Sequence, residues 1–273
     1  MNKTILVTGA TGFVGSQLMN ALITRCNRIR IVGRDIRKDK YNGIPVEIVN
    51  TPDMFAEDFS WWGAVCEKVD TIIHAAWYAE PGKYLQSSKN LDCLSGTLRM
   101  AQGATAAGVR RIVGIGTCFE YDVTKKFLSI ETPLRPMTPY AGAKAAAWMA
   151  LSQWLPSQGL EFAWCRLFYL YGDREDSRRL VPYLRSKLER GEIVELTSGT
   201  QIRDYLDVTE AGRKIVEIAL SEYQGAINIC SGEPITVRKF AETIADEYGR
   251  RDLLKFGVRP DNLFDPPCVV GIR

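Results

Sequence analysis

Histidine is nearly missing from this chain of 273 residues: His74 stands alone, and no Cys, Asp or Glu cluster has the spacing of a metal site. Metal chemistry and a paired-histidine mechanism are therefore not expected. Seven cysteines are odd in number, scattered and free of any C-x-x-C. The chain also enters a strand with no signal peptide before it, so reduced thiols in a cytoplasmic protein are expected. No apolar run approaches the ~20 residues of a membrane span. An excess of one charge is lacking too. With 35 Lys and Arg against 32 Asp and Glu, the formal charge is +3 and interspersed, which leaves no basic face for nucleic acid or a membrane surface. Internal repeats and low-complexity linkers are absent.

What the chain does have is a core, since 46% hydrophobic residues suffice for one large α/β domain or a main domain with a smaller lobe. Apolar runs alternate with helical stretches, which predicts a doubly wound parallel sheet of the Rossmann type. Strands are expected near 4–8, 29–32, 45–49, 70–75, 111–116, 161–167 and 226–229. Helices are expected over 13–25, 60–68, 85–107, 140–155, 180–190, 208–221 and 236–249. Past residue 167 the alternation loosens. Residues 1–167 thus read as a dinucleotide-binding domain, and 168–273 mainly as a smaller substrate-binding lobe partly interleaved with the main sheet.

The first strand stops at three glycines spaced by three, Gly9, Gly12 and Gly15, and an apolar-periodic helix follows from Phe13. Glycine permits positive φ and close backbone approach, and a helix N-terminus offers free N–H groups to an anion. Gly9, Thr11, Gly12, Phe13, Val14 and Gly15 are therefore candidates to hold a dinucleotide pyrophosphate, although the spacing is G-x-x-G-x-x-G rather than G-x-G-x-x-G. At the tip of the second strand, Ile31-Val32-Gly33-Arg34 offers no carboxylate for a ribose 2′-OH. Arg34, Arg37 and Lys38 follow, with Asp35 past the strand end, so Arg34 points to NADP over NAD. The fourth strand ends His74-Ala75-Ala76-Trp77-Tyr78. Ala75 and Ala76 leave room for a cofactor in the crevice. Trp77 and Tyr78 either line a sugar or base site or cover the core, and a lone His on a buried strand reads as structural.

Tyr140 stands 23 residues after Thr117, with Lys144 four further on, so both fall on one face of an alanine-rich helix opened by Pro139. A cation beside a phenol favours the phenolate, which would draw Tyr140 toward neutral pH and fit it for proton transfer. Tyr121 with Lys125 and Tyr183 with Lys187 match the same spacing. Context separates them: Tyr121 follows a strand in a loop, Tyr183 lies in the expected lobe, and only Tyr140 opens a long helix.

With these residues in place, the chain resembles the extended short-chain dehydrogenase/reductase family, in its nucleotide-sugar epimerase, dehydratase and ketoreductase branch. The resemblance runs from Thr4 to about Asp261. It is carried by TGATGFVG, His74-Ala75-Ala76, SGTL at 95–98, Thr117 with Tyr140 and Lys144, RLFYLYG at 166–172, RDYLDV at 203–208 and RPD at 259–261. It implies that Thr117 holds the reacting oxygen, Tyr140 moves the proton, and Lys144 serves Tyr140 and the nicotinamide ribose. It also implies a diphosphate clamp from Arg203 and Arg259, with Trp77, Tyr169 and Arg179 at the substrate site of a homodimer. Three departures stand out. The acids that follow the catalytic Thr in the family's 4,6-dehydratases are Cys118 and Phe119 here; two usual Asn positions hold Cys93 and Tyr169; and after Asp261 the family's closing helix is replaced by a short tail, trimmed or rebuilt. The resemblance thus implies NADPH-dependent reduction of the 4-keto group of a nucleoside-diphosphate 4-keto-6-deoxyhexose. An NAD-dependent nucleotide-sugar 4-epimerase is the alternative. A non-catalytic dinucleotide-binding regulator would have no need of Thr117, Tyr140 and Lys144 together.

Overall fold

The computed structural model describes residues 3–26, 28–37, 41, 45–262 and 265–273. The chain runs β1 (Thr4–Thr8), α1 (Phe13–Ile23), β2 (Arg28–Gly33), β3 (Val46–Asn50), α2 (Phe59–Val65), β4 (Thr71–His74), α3 (Lys89–Ala106) and β5 (Arg111–Thr117). Next come β6 (Phe127–Leu128), α4 (Pro139–Ser157), β7 (Glu161–Leu167), β8 (Tyr169–Tyr171) and α5 (Leu180–Glu189). It continues through β9 (Val194–Glu195), β10 (Ile202–Asp207), α6 (Val208–Leu220), β11 (Gly225–Ile229), β12 (Pro234–Thr236), α7 (Val237–Asp246), β13 (Leu254–Lys255) and β14 (Cys268–Gly271).

Seven strands form one parallel sheet in the order β11-β7-β5-β4-β1-β2-β3. These are the seven expected strands, each within one residue of its expected bounds. They are legible because β4 and β5 are buried along their whole length, so their sequences are near-continuous apolar runs. Side chains alternate between the two faces. Ile5, Val7, Ile31 and Ile73 pack with Leu18, Leu22, Ile215 and Val216 of α1 and α6. Leu6, Val32, Ile72 and Ile112 pack on the other side with Trp62, Met100 and Leu151 of α2, α3 and α4. Each such side chain contributes about 1.5–3 kcal/mol of burial. The winding reverses between β1 and β4, which opens a crevice at the carboxyl ends of those strands.

The expected helix over 85–107 begins later, at Lys89, because Tyr84–Gln86 forms a separate 3-10 turn. The last third of the chain is shared out. α6 packs on α1, and β11 extends the main sheet beyond β7. The remaining strands make a sheet in the order β12-β10-β14-β6, with β8 paired to β10, and a small β13-β9 ladder. α5 and α7 close their own core around Leu184, Phe240 and Ile244. The tail after Asp261 is a buried strand, β14, parallel to both β10 and β6. Asp204, wholly buried, anchors it by accepting from Gly271 N at 3.0 Å, Ser231 N at 2.7 Å and Gly232 N at 2.9 Å. No helix among the described residues is long and apolar enough to cross a membrane.

Candidate active site

The crevice begins at the turn between β1 and α1. Gly9 has φ +72°, and a Cβ there would lie 2.7 Å from Ala76 N. A Cβ on Gly15 would lie 1.9 Å from the carbonyl oxygen of Gly9. Both positions are held by backbone against backbone, so only glycine fits. α1 starts at Gly12 with no side-chain cap and no acid in its first turn, so its N–H groups and positive dipole end face outward. Thr11 and Gly12 are exposed, while Phe13 and Val14 turn partly into the core. This cradle fits a dinucleotide pyrophosphate. At the tip of β2, Arg34 is exposed just past Gly33, and Asp35 takes φ +46°. Lys38 lies outside the described residues.

His74 proves to be a strut. Thr97 Oγ1 donates to the Cys93 carbonyl at 2.7 Å and so accepts from His74 Nε2 at 2.9 Å. Nδ1 accepts from Thr8 Oγ1 at 2.8 Å, and Thr8 Oγ1 itself accepts from Ala76 N at 3.2 Å. This network selects the neutral Nε2–H tautomer. Burial, and then the charge of Lys144, lowers the imidazole pKa to about 3. His74 therefore ties β1 to α3 and takes no proton near neutrality. Below pH 6.5 the unfolded chain binds a proton that the folded chain refuses until about pH 3, so stability falls as pH falls through that window. Relative to His74→Gln, wild type should lose roughly 4–5 kcal/mol more between those limits in denaturant titrations. Parallel curves for the two proteins would remove His74 as the cause.

Three side chains meet where β5 ends. Thr117 closes the strand, and Tyr140 and Lys144 come from the start of α4, where Thr138 Oγ1 accepts from Ala141 N at 3.2 Å and Pro139 takes the first turn. Lys144 Nζ donates to the Ile115 carbonyl at 2.6 Å and lies 3.8 Å from the Trp77 ring centroid. Trp77 is oriented in turn by Asn90, whose Oδ1 accepts from the indole N–H at 2.9 Å. Asn90 Nδ2 is fixed by the carbonyls of Tyr84 at 2.6 Å and Ser87 at 2.9 Å. Tyr140, half-buried, meets Tyr84 edge-on at 4.8 Å between centroids and Trp77 at 6.5 Å. Tyr84 and Asn90 carry no spacing signal in the sequence, since the turn that brings them here reads as part of a longer helix.

Burial governs the ionisation of this group. It pushes the Tyr140 phenol well above its ordinary value and lowers the Lys144 amine to about 7. The expectation that Lys144 draws Tyr140 down is thereby corrected. The amine is aimed at the Ile115 carbonyl and the Trp77 face, and the downward pull on the phenol comes from a side-chain hydrogen bond with Thr117. Tyr140 is accordingly a protonated phenol, able to give a proton. Lys144 stands near the midpoint of its own ionisation.

The other two Tyr–Lys pairs are placed differently. Tyr121 is buried, its OH donating to Asn228 Oδ1 at 2.8 Å and accepting from Arg166 Nη1 at 3.0 Å, while Lys125 is exposed. Tyr183 lies under Arg259, which donates to its OH at 2.9 Å, and Lys187 pairs with Glu192 at 2.5 Å. Among the arginines, Arg203 is 2% exposed and donates from Nη2 to Asp265 Oδ2 at 2.6 Å. Its guanidinium lies 5.0 Å from the ring centroid of Tyr169, whose buried hydroxyl has no hydrogen-bond partner among the described residues. Arg179, at the start of α5, pairs with Glu175 at 3.2 Å. Arg259 is exposed and is held on Tyr183.

Comparison with known proteins agrees with this architecture. The model of the NAD dependent epimerase/dehydratase family matches residues 5–230. The chain is 23% identical to a dTDP-6-deoxy-L-talose 4-dehydrogenase (NAD(+)) of Aggregatibacter actinomycetemcomitans, over 98% of this chain and 99% of that protein. It is 22% identical to a CDP-abequose synthase of Salmonella muenchen, over 97% and 88% of the two chains. Among solved structures, the UDP-N-acetylglucosamine 4-epimerase from Methanobrevibacter ruminantium M1 in complex with UDP-N-acetylmuramic acid superposes with a TM-score of 0.85. That pair is 23% identical over 99% of this chain and 89% of the other. Since the family match spans most of the chain, and the parallel sheet and glycine turn stand in that family's order, the protein belongs to the NAD dependent epimerase/dehydratase family of extended short-chain dehydrogenases/reductases.

Proposed function

We propose that this protein is a nucleotide-sugar 4-ketoreductase, using NADPH to reduce a nucleoside-diphosphate 4-keto-6-deoxyhexose. The observation that carries the reading is how few groups around Thr117 can move a proton. Cys118 is buried and its thiol is pushed up to about 12, Phe119 packs against Tyr169 at 6.1 Å, and Glu120 is bound to Arg166 at 2.7 Å. With residues 118–120 excluded, the reading falls on Tyr140 with Lys144. That set serves a single protonation, as ketone reduction requires, and lacks the adjacent acid and base that water loss requires. The 4-dehydrogenase relative acting on a dTDP-6-deoxysugar supports chemistry at C4.

In this reading the β1–α1 cradle holds the pyrophosphate, Ala75 and Ala76 line the crevice, and Arg34 takes the 2′-phosphate. The bound dinucleotide supplies the hydride. As negative charge builds on the ketone oxygen, Tyr140 gives it a proton and the Thr117 hydroxyl donates to it. Lys144, its amine turned to the Ile115 carbonyl, is assigned to the nicotinamide ribose. Trp77, Tyr169, Arg179, Arg203 and Arg259 are assigned to the sugar nucleotide, with residues 168–273 supplying most of its lobe. The Arg203 guanidinium would exchange the Asp265 carboxylate for a phosphate, a bidentate partner of the same charge type. The same reading takes the protein as a cytoplasmic homodimer.

NADPH oxidation followed at about 340 nm with a 4-keto-6-deoxy sugar nucleotide tests the activity. Arg34→Ala should weaken NADPH binding about tenfold or more, the worth of a charge-assisted pair, and leave NADH little changed. Equal losses for both cofactors, or a wild type that prefers NADH, would overturn the assignment of Arg34. A 4-epimerase would use the same Thr117, Tyr140 and Lys144. Dinucleotide that stays bound through gel filtration, with no net NADPH consumption, would favour that alternative.

A further inference from the structure

Resting on that reading, we infer that Glu120 is the positioning residue of this site: a fixed, buried carboxylate that holds the Thr117 peptide and shares Trp164 with the amine of Lys144. Glu120 is wholly buried. Its Oε1 accepts from Thr117 N at 2.8 Å, while the Thr117 hydroxyl accepts from Phe119 N at 3.3 Å, a reciprocal cap at the end of β5. With its lone pair engaged there, the Thr117 hydroxyl keeps its own proton to donate outward. The cap is therefore what aims the hydroxyl.

The carboxylate is held from behind. Trp164 Nε1 reaches both oxygens, at 3.0 and 3.1 Å, and Arg166 Nε donates to Oε2 at 2.7 Å. Arg166 Nη1 continues to the Tyr121 hydroxyl, and Tyr121 to Asn228, whose Nδ2 donates to the carbonyls of Leu128 at 2.8 Å and Ile272 at 2.9 Å. The site is thus tied to β11 and to the tail of the chain. A Cβ on Gly116 would stand 2.4 Å from Glu120 Oε1, so that position is left open for the carboxylate.

Lys144 stands on the other side of the same group. Its Nζ lies 5.8 Å from the Trp164 ring centroid and binds the carbonyl of Ile115, two residues before Thr117 on β5. The titratable groups facing Lys144 are Glu120, Cys93 on α3 and His74 on β4. Those facing Glu120 are Arg166 on β7, Cys118 and Tyr121 on its own turn, and Tyr140 and Lys144 on α4. Against the burial that disfavours the Lys144 ammonium, Glu120 is the larger of the two opposing influences, Cys93 being the other. A salt bridge serving stability alone has no need to sit on the catalytic strand end, since a buried ion pair is often replaceable by apolar side chains.

The test follows the ionisation of Lys144 by NMR on protein labelled with [ε-13C]lysine, its signal assigned by its loss in Lys144→Arg. Wild type is compared with Glu120→Asp and with the combination Glu120→Gln and Arg166→Met, which removes both charges and leaves no lone guanidinium buried. The Lys144 midpoint should move to lower pH in the neutral combination and stay put in Glu120→Asp, which keeps the charge. In NADPH oxidation Glu120→Asp, one methylene shorter, should lose at least about tenfold in kcat, with KM for NADPH within about twofold, because its carboxylate no longer reaches the Thr117 peptide. A lower melting temperature with an unmoved midpoint, or wild-type kcat in Glu120→Asp, overturns the assignment. If wild type reduces no sugar nucleotide, the reductase reading fails separately, and the Lys144 midpoint alone decides on Glu120. If the neutral combination does not fold, the kcat of Glu120→Asp decides it.

Discussion

Tyr140→Phe is expected to reduce the sugar nucleotide at least about a hundredfold more slowly than wild type while binding NADPH and substrate normally. The ring would keep its edge contacts with Tyr84 and Trp77, so the geometry of α4 and Lys144 is preserved and only the phenolic proton is lost. A positioned acid typically contributes ~10² to 10⁴ in rate. The phenol sits high in pKa, so it enters the reaction protonated across the neutral range. Tyr121→Phe and Tyr183→Phe provide the controls. The first loses a buried hydrogen bond worth about 1 kcal/mol of stability, and the second loses a rim contact with Arg259. Neither hydroxyl should govern turnover. Wild-type rates in Tyr140→Phe, with a dead Tyr121→Phe or Tyr183→Phe, would show that a different Tyr–Lys pair does the chemistry.

The other large effect is expected at Gly15. A methyl group there would stand 1.9 Å from the Gly9 carbonyl oxygen, a distance that no rotamer relieves because both partners are backbone. α1 must then move away from the end of β1, and its N-terminus with it. Overpacking of this kind costs about 1–3 kcal/mol or more. It also displaces the N–H groups at the start of α1, which the proposed reading gives to the dinucleotide pyrophosphate. Gly15→Ala should therefore lower the melting temperature and weaken NADPH binding by a factor on the order of 100, the equivalent of about 3 kcal/mol. Calorimetric titration with NADPH measures it directly. Wild-type affinity in Gly15→Ala would mean that the cradle is not where the dinucleotide binds.

The two sites differ in how they can be read. The cradle is local: strand, turn and helix lie within Thr4–Ile23, and its glycines are required by contacts a few residues away, apart from the approach of Gly9 to Ala76. The same holds for the start of α4, where Thr138, Pro139 and Ala141 announce a helix without help from elsewhere. The seven strands of the main sheet are legible for a related reason. Burial along the whole length of β4 and β5 makes them continuous apolar runs, and periodicity separates the strands from the helices between them.

Tertiary structure decided the rest. Spacing alone puts Lys144 one turn from Tyr140, but it does not show that the amine turns to Ile115 and Trp77, or that burial raises the phenol instead of lowering it. Desolvation depends on what surrounds a group in space, which a four-residue interval does not contain. The partners of Glu120, Trp164 and Arg166, arrive from β7, and Asn228, the partner of neighbouring Tyr121, arrives from β11, 107 residues away. Arg203 is likewise bound to Asp265, 62 residues on, and the tail becomes a strand only because β10 and β6 leave a place between them. The amino-acid sequence by itself determined the parallel sheet, the glycine turn between β1 and α1 and which residues stand as catalytic candidates, because each is set by neighbours along the chain. Folding decided which of those groups are buried, which charges face them and which proton is available, because these are properties of contacts between residues far apart in sequence.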